Sequence, residues 1–142
     1  MNAVLKPQRD AKALANAFPD VDAGCKPFGT RVLVQIRSPK AKSDGGLILV
    51  QETKDTEQWN TQVAKILELG SVAFKNRTTM EPWPEGQWAQ RGDFVRVPKY
   101  GGDRFEVKYG DDADEKALFV LFNDLDLLGS LTGDPLAVLA FI

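Results

Sequence analysis

At 142 residues, 43% hydrophobic and 27% charged, the chain has the composition of one soluble globular domain with a real core, and is too short for two comfortable ones. Its 18 basic and 20 acidic side chains are scattered to a net charge of −2, with no basic block to neutralise a run of phosphates, so nucleic-acid binding is not expected. Having no histidine and one cysteine, Cys25, it lacks an internal disulfide, the usual zinc sites and histidine-based catalysis, while carboxylate chemistry stays open to it.

Residues 1–10 show no long apolar core after the first charge, so no secretory signal is expected. The longest apolar runs, 117–122 and 135–142, fall far short of the roughly 20 residues a membrane helix needs. Residues 9–18 are alanine-rich, with Leu14 and Phe18 one helical turn apart, and Pro19 ends what reads as a short helix. The pattern fits either a frayed arm or a docked helix, and residues 20–26 then read as a linker.

From Thr30 the period becomes two. Val32, Val34 and Ile36 fall on one face and Arg31, Leu33, Gln35 and Arg37 on the other, which predicts a half-buried strand over 30–37. Residues 38–46 are polar, contain Pro39 and end in Gly45-Gly46, so they read as a loop; 47–50 is a short apolar patch and 51–60 is polar again. A strand is predicted over 62–69, closed by Gly70. Residues 71–92 form a long connection with Pro82, Trp83, Pro84, Gly86 and Trp88, and connections of that length are usually structured or functional excursions. Strands follow at 94–97, through Phe105, Val107 and Tyr109 on one face, and at 116–122, whose unbroken apolar run predicts cover on both sides. Short strands separated by turn signals, with little helical periodicity, predict an all-β barrel or sandwich.

The order of these features resembles the GroES co-chaperonin family. Pro27-Phe28-Gly29-Thr30-Arg31-Val32-Leu33-Val34 resembles the family's first barrel strand, and Gly45-Gly46-Leu47-Ile48-Leu49 the end of its mobile loop. Arg91-Gly92-Asp93-Phe94-Val95 is similar to the lead-in to its later strands, so the adhesion-like tripeptide there is expected to be structural. Lys99-Tyr100-Gly101-Gly102 with Phe105-Glu106-Val107 resembles its Tyr-Gly-Gly hairpin, and 118–122 with Asp124-Leu125-Asp126-Leu127-Leu128 its closing strand and turn. The likeness spans about 27 to 128.

That resemblance implies a partly open β-barrel over 27–129 with a mobile-loop region at 38–60 and a roof region at 71–92, an N-terminal arm over 1–26 and an apolar tail over 130–142. It implies a non-enzymatic assembly protein without cofactor or metal. Its partner would be a chaperonin ring, gripped through Gly45, Gly46, Leu47, Ile48 and Leu49, and the aliphatic three could instead be plain barrel strand. Seven copies would form a ring in the host cytoplasm, with 30–37 and 116–122 as edge strands that pair between neighbours. Trp83 and Trp88 would be either a roof contact or a lid on the barrel. Arm, tail and enlarged roof are associated with phage-encoded relatives, which leaves a second expectation: a cement protein decorating a capsid, its ends clamped on the phage coat protein. In either case the tail residues Leu136, Val138, Leu139, Phe141 and Ile142 need a surface to dock on.

Overall fold

A computed structural model describes residues 7–38, 62–110 and 115–138, with the side chains of 7–11 left aside. Gly45, Gly46, Leu47, Ile48, Leu49, Leu139, Phe141 and Ile142 lie outside the described residues, as do residues 1–6 and 111–114.

The strands are β1 (Arg31–Ile36), β2 (Val63–Leu69), β3 (Phe94–Arg96), β4 (Asp103–Lys108), β5 (Lys116–Asn123) and β6 (Gly129–Ser130). They form one antiparallel sheet in the order β4-β5-β1-β2-β3-β6, preceded by helix α1 (Pro7–Ala17). Pro7 at the first helical position costs the helix nothing, since that N–H has no intrahelical partner anyway. The all-β, partly open barrel expected from the sequence is what forms.

Its interior collects one alternate set from each strand. Val32, Val34 and Ile36 of β1 meet Ala64 and Ile66 of β2, Val95 and Val97 at β3, and Val120 and Phe122 of β5. At this depth each Val, Ile or Phe side chain among them contributes about 1.5–3 kcal/mol by leaving water. Between Leu33 and Val34 the register with β2 shifts, from Leu33 against Glu68 to Val34 against Ile66. A bulge of this kind bends the strand and helps the sheet curl. Where β2 ends, Gly70 lies so close to the start of β1 that a Cβ would collide with the Gly29 carbonyl oxygen and stand 2.9 Å from that of Arg31. Only glycine lets the two backbones approach there.

Two expectations about β1 are corrected. It is not half-buried: every residue from Val32 to Ile36 is buried, Leu33 and Gln35 included. A second apolar cluster covers the outer face, where Leu33, Ala117 and Phe119 pack with Val21 and Ala23 from the stretch read as a linker and with Phe105 and Val107 of β4. Gln35 is tolerated there because its Nε2 donates to the Pro19 carbonyl at 2.9 Å. Nor are β1 and β5 edges. They pair with each other through Arg31–Asn123 to Gln35–Phe119, and the edges are β4 and β6. Strands buried on both faces belong in the middle of a sheet, while the exposed Asp103, Glu106 and Lys108 of β4 suit a border. For β5 the prediction of cover on both sides holds.

Candidate functional site

Three surfaces on the barrel have the makings of protein contacts. The first is the stem from which residues 39–61 depart. On the outgoing side the Arg37 N–H donates to the Val63 carbonyl at 3.0 Å and the Ser38 N–H to the Ala17 carbonyl at 2.8 Å. On the returning side the Val97 N–H donates to the Gln62 carbonyl at 2.9 Å. The described residues on either side of that stretch, Arg37–Ser38 and Gln62–Val63, are therefore adjacent and hydrogen-bonded into the barrel.

The second is the long connection over residues 71–92, whose Ala73, Phe74 and Ala89 belong to the core cluster. Phe74 points into the core and is 1% exposed, and it holds φ +62°, a left-handed conformation unusual for a bulky residue. A buried carboxylate fixes it: Asp124, in the 3₁₀ turn Asp124–Asp126, accepts the Phe74 N–H at 2.9 Å. Around Phe74 the two tryptophans gather, Trp83 edge-on at 5.4 Å and Trp88 at 6.2 Å, with 4.7 Å between their own centroids. Aromatic pairs at such spacings add about 0.5–1.5 kcal/mol beyond their area. Trp83 is packed against the core, whereas Trp88 is 37% exposed and donates from Nε1 to Glu85 at 3.2 Å. Trp83 thus joins the aromatic cluster to the core, and Trp88 carries it out to solvent. At the tip, the Asn76 side chain accepts the Thr78 and Thr79 N–H groups, and Met80 stands exposed.

The third runs along the β6 border. A groove of about 350 Å³ is lined by Trp88, Ala89, Val95, Leu127, Leu128 and the β6 backbone. Leu128, in its wall, is 62% exposed; elsewhere on the surface Leu125 is 69% exposed and Phe28, before β1, 81%.

The tail residues that are described lie on the barrel. Leu136 and Val138 pack with Leu14, Ala17 and Phe18 of the arm against Val63 and Phe94. Pro135–Ala137 forms a 3₁₀ turn capped by Asp134, which accepts the Leu136 N–H. The arm is docked too, its Phe18 ring 5.1 Å from that of Phe94.

No group of three or more His, Cys, Asp or Glu able to hold a metal occurs among the described residues, and no described helix is long and apolar enough to cross a membrane. Tyr109 has a perturbed ionisation: burial, and then the Glu115 carboxylate, hold its phenol above the ordinary value. Sequence reasoning missed Asp124 and Phe74. In the run Asp124-Leu125-Asp126-Leu127 the structure buries Asp124, which accepts the Phe74 N–H, and exposes Leu125.

The sequence profile of the chaperonin 10 kDa subunit matches residues 24–131, a stretch that takes in the six described strands and the 71–92 connection. Two proteins named co-chaperonin GroES, from two strains of Thermus thermophilus, are each 29% identical to the chain over 112 residues, covering 79% of this chain and 96% of theirs.

Proposed function

This chain belongs to the chaperonin 10 kDa subunit family, and on that premise we propose that it is a co-chaperonin: a non-enzymatic protein that caps a chaperonin ring and assists folding. The observation that carries the reading is the family match over the whole barrel, together with likeness to two co-chaperonins across almost their full length. In this reading Gly45 and Gly46 let the chain turn freely, and Leu47, Ile48 and Leu49 enter an apolar site on the partner. Three buried aliphatic side chains yield on the order of 1.5–3 kcal/mol each. Fixing the backbone around them costs about 1–2 kcal/mol per residue. One copy therefore binds weakly, and a ring of seven turns weak contacts into a firm grip.

The uncovered apolar residues support assembly into such a ring. A head-to-tail contact at the β6 border would bury Leu128 and the groove beside Trp88, and the exposed Phe28 is an apt knob for the neighbouring copy. The barrel over 27–129 is the working unit, with the arm and tail as additions, and the cytoplasm of the host is the place of action. A phage origin and a capsid-cement role form the competing reading. Against it, the described apolar residues of both ends, Leu14, Phe18, Leu136 and Val138, are turned onto the chain's own barrel and not held out for a coat protein.

Changing Leu47, Ile48 and Leu49 together to Ser tests the mechanism. The expected result is loss of chaperonin binding with an unchanged melting curve, since these residues serve the partner and not the barrel. Unaltered binding, or a collapsed fold, removes them from that role. Stoichiometric recovery of the chain with purified virions would promote the cement reading in its place.

A further inference from the structure

The family match stops at residue 24 on one side and 131 on the other, yet the segments beyond those limits converge on one spot of the barrel wall. From the arm come Leu14, Ala17 and Phe18, and from the tail Leu136 and Val138, all gathered around Val63 and Phe94. Apolar packing alone has no direction, and would serve anywhere on the wall. The hydrogen bonds do have direction. Ala17 accepts the Ser38 N–H at 2.8 Å, Val138 accepts Nη1 of Arg37 at 3.1 Å, and Pro19 accepts Nε2 of Gln35 at 2.9 Å. Three carbonyls from the two chain ends thus hold Gln35, Arg37 and Ser38, the last residues of the outgoing stem. On the returning side Val63 lies fully buried under the same cluster.

We propose that the two chain ends form a single clasp that fixes the stem at Arg37–Ser38 and Val63, and that it tunes the affinity of the partner-binding stretch the stem carries; this rests on the co-chaperonin reading above. The physical reason is preorganisation. A stem residue already fixed in the folded protein adds nothing to the entropy lost at binding, whereas a loose stem must be ordered in each copy at the moment of contact. Because several copies bind together, a small loss per copy compounds in the assembly. The ends act as positioning elements and need not touch the partner.

Two variants of the full chain separate this from simple stabilisation. Phe18→Ala removes the ring from Phe94, and Arg37→Gln cuts the guanidinium bond to the tail while leaving the apolar packing. Amide exchange of Ser38 reads the clasp itself, and affinity for a purified chaperonin ring with nucleotide reads its effect. Each variant is expected to speed Ser38 exchange at least tenfold while Val34 and Val120 in the barrel stay protected. Each weakens chaperonin binding about tenfold, the double variant is little worse than either one, and Phe18→Leu restores most of the affinity. Ser38 exchange unchanged in both variants would overturn the clasp. Faster exchange with unchanged affinity would overturn its positioning role and leave the co-chaperonin reading intact. If the unaltered protein fails to bind the ring, that reading falls and the positioning role with it, while the exchange data still report whether the clasp exists.

Discussion

The two faces of the sheet are covered by different means. The inner face closes on itself: the sheet curls, and Val32, Val34, Ile66, Val95, Val120 and Phe122 meet across the barrel with Phe74, against which Trp83 packs. Among the described residues no second sheet opposes the outer face. It is covered by the chain's own beginning, where Val21 and Ala23 lie over Leu33 and Phe119, and by the arm and tail together over Val63. The inner cover is built into the strands, so it cannot be removed without unfolding. The outer cover is laid on by segments that can in principle be loosened while the barrel persists. Local stability should therefore grade from the interior outward.

Substitutions on the two faces sharpen that contrast. Phe74→Ala should be the most damaging, since it empties the centre of the aromatic cluster and unseats both tryptophans, while the backbone N–H that Asp124 accepts remains. A loss of about 3–5 kcal/mol in urea unfolding is expected, the usual range for a buried phenylalanine. On the outer face, Phe105→Ala removes a half-buried ring stacked 5.7 Å from Phe119 on the border strand β4. Here about 1–2 kcal/mol is expected, roughly half the full-burial value plus the ring contact. If Phe105→Ala costs as much as Phe74→Ala, the two faces are not distinct in their energetics.

The smallest effect is a matter of pH. Burial, and next to it Glu115, raise the Tyr109 phenol above its value in the unfolded chain, so the folded protein favours the neutral ring. Its share of stability is full below the unfolded value near pH 10 and is lost as pH rises through the folded value, because the unfolded chain releases that proton first. Tyr109→Phe should flatten the fall of the melting temperature above pH 10 and leave it unaltered at pH 7. An identical alkaline decline in the variant would show that Tyr109 takes no part.

How far the sequence revealed this division follows from what each cover is made of. Alternation in β1 and the unbroken run in β5 located the inner core, because side chains of period two leave a direct trace. The edge assignment failed because an apolar strand reads alike whether a neighbouring strand or a neighbouring copy covers it. The outer cover on β1 was missed for a related reason: Gln35 looked like a solvent residue, and only the Pro19 carbonyl above it makes its burial tolerable. Asp124 was hidden more completely, since its role depends on a single N–H fifty positions earlier in the chain. Trp83 and Trp88 stood out by composition, but their meeting over Phe74 needed the fold.

The most direct test of the whole account is sedimentation of the full chain with a purified GroEL-type chaperonin ring and nucleotide, with ATP turnover followed in parallel. The account predicts a free assembly of seven copies that joins the ring as one cap and slows its ATP turnover. A chain that stays monomeric at micromolar concentration, sediments apart from the ring and leaves its turnover unchanged would contradict it.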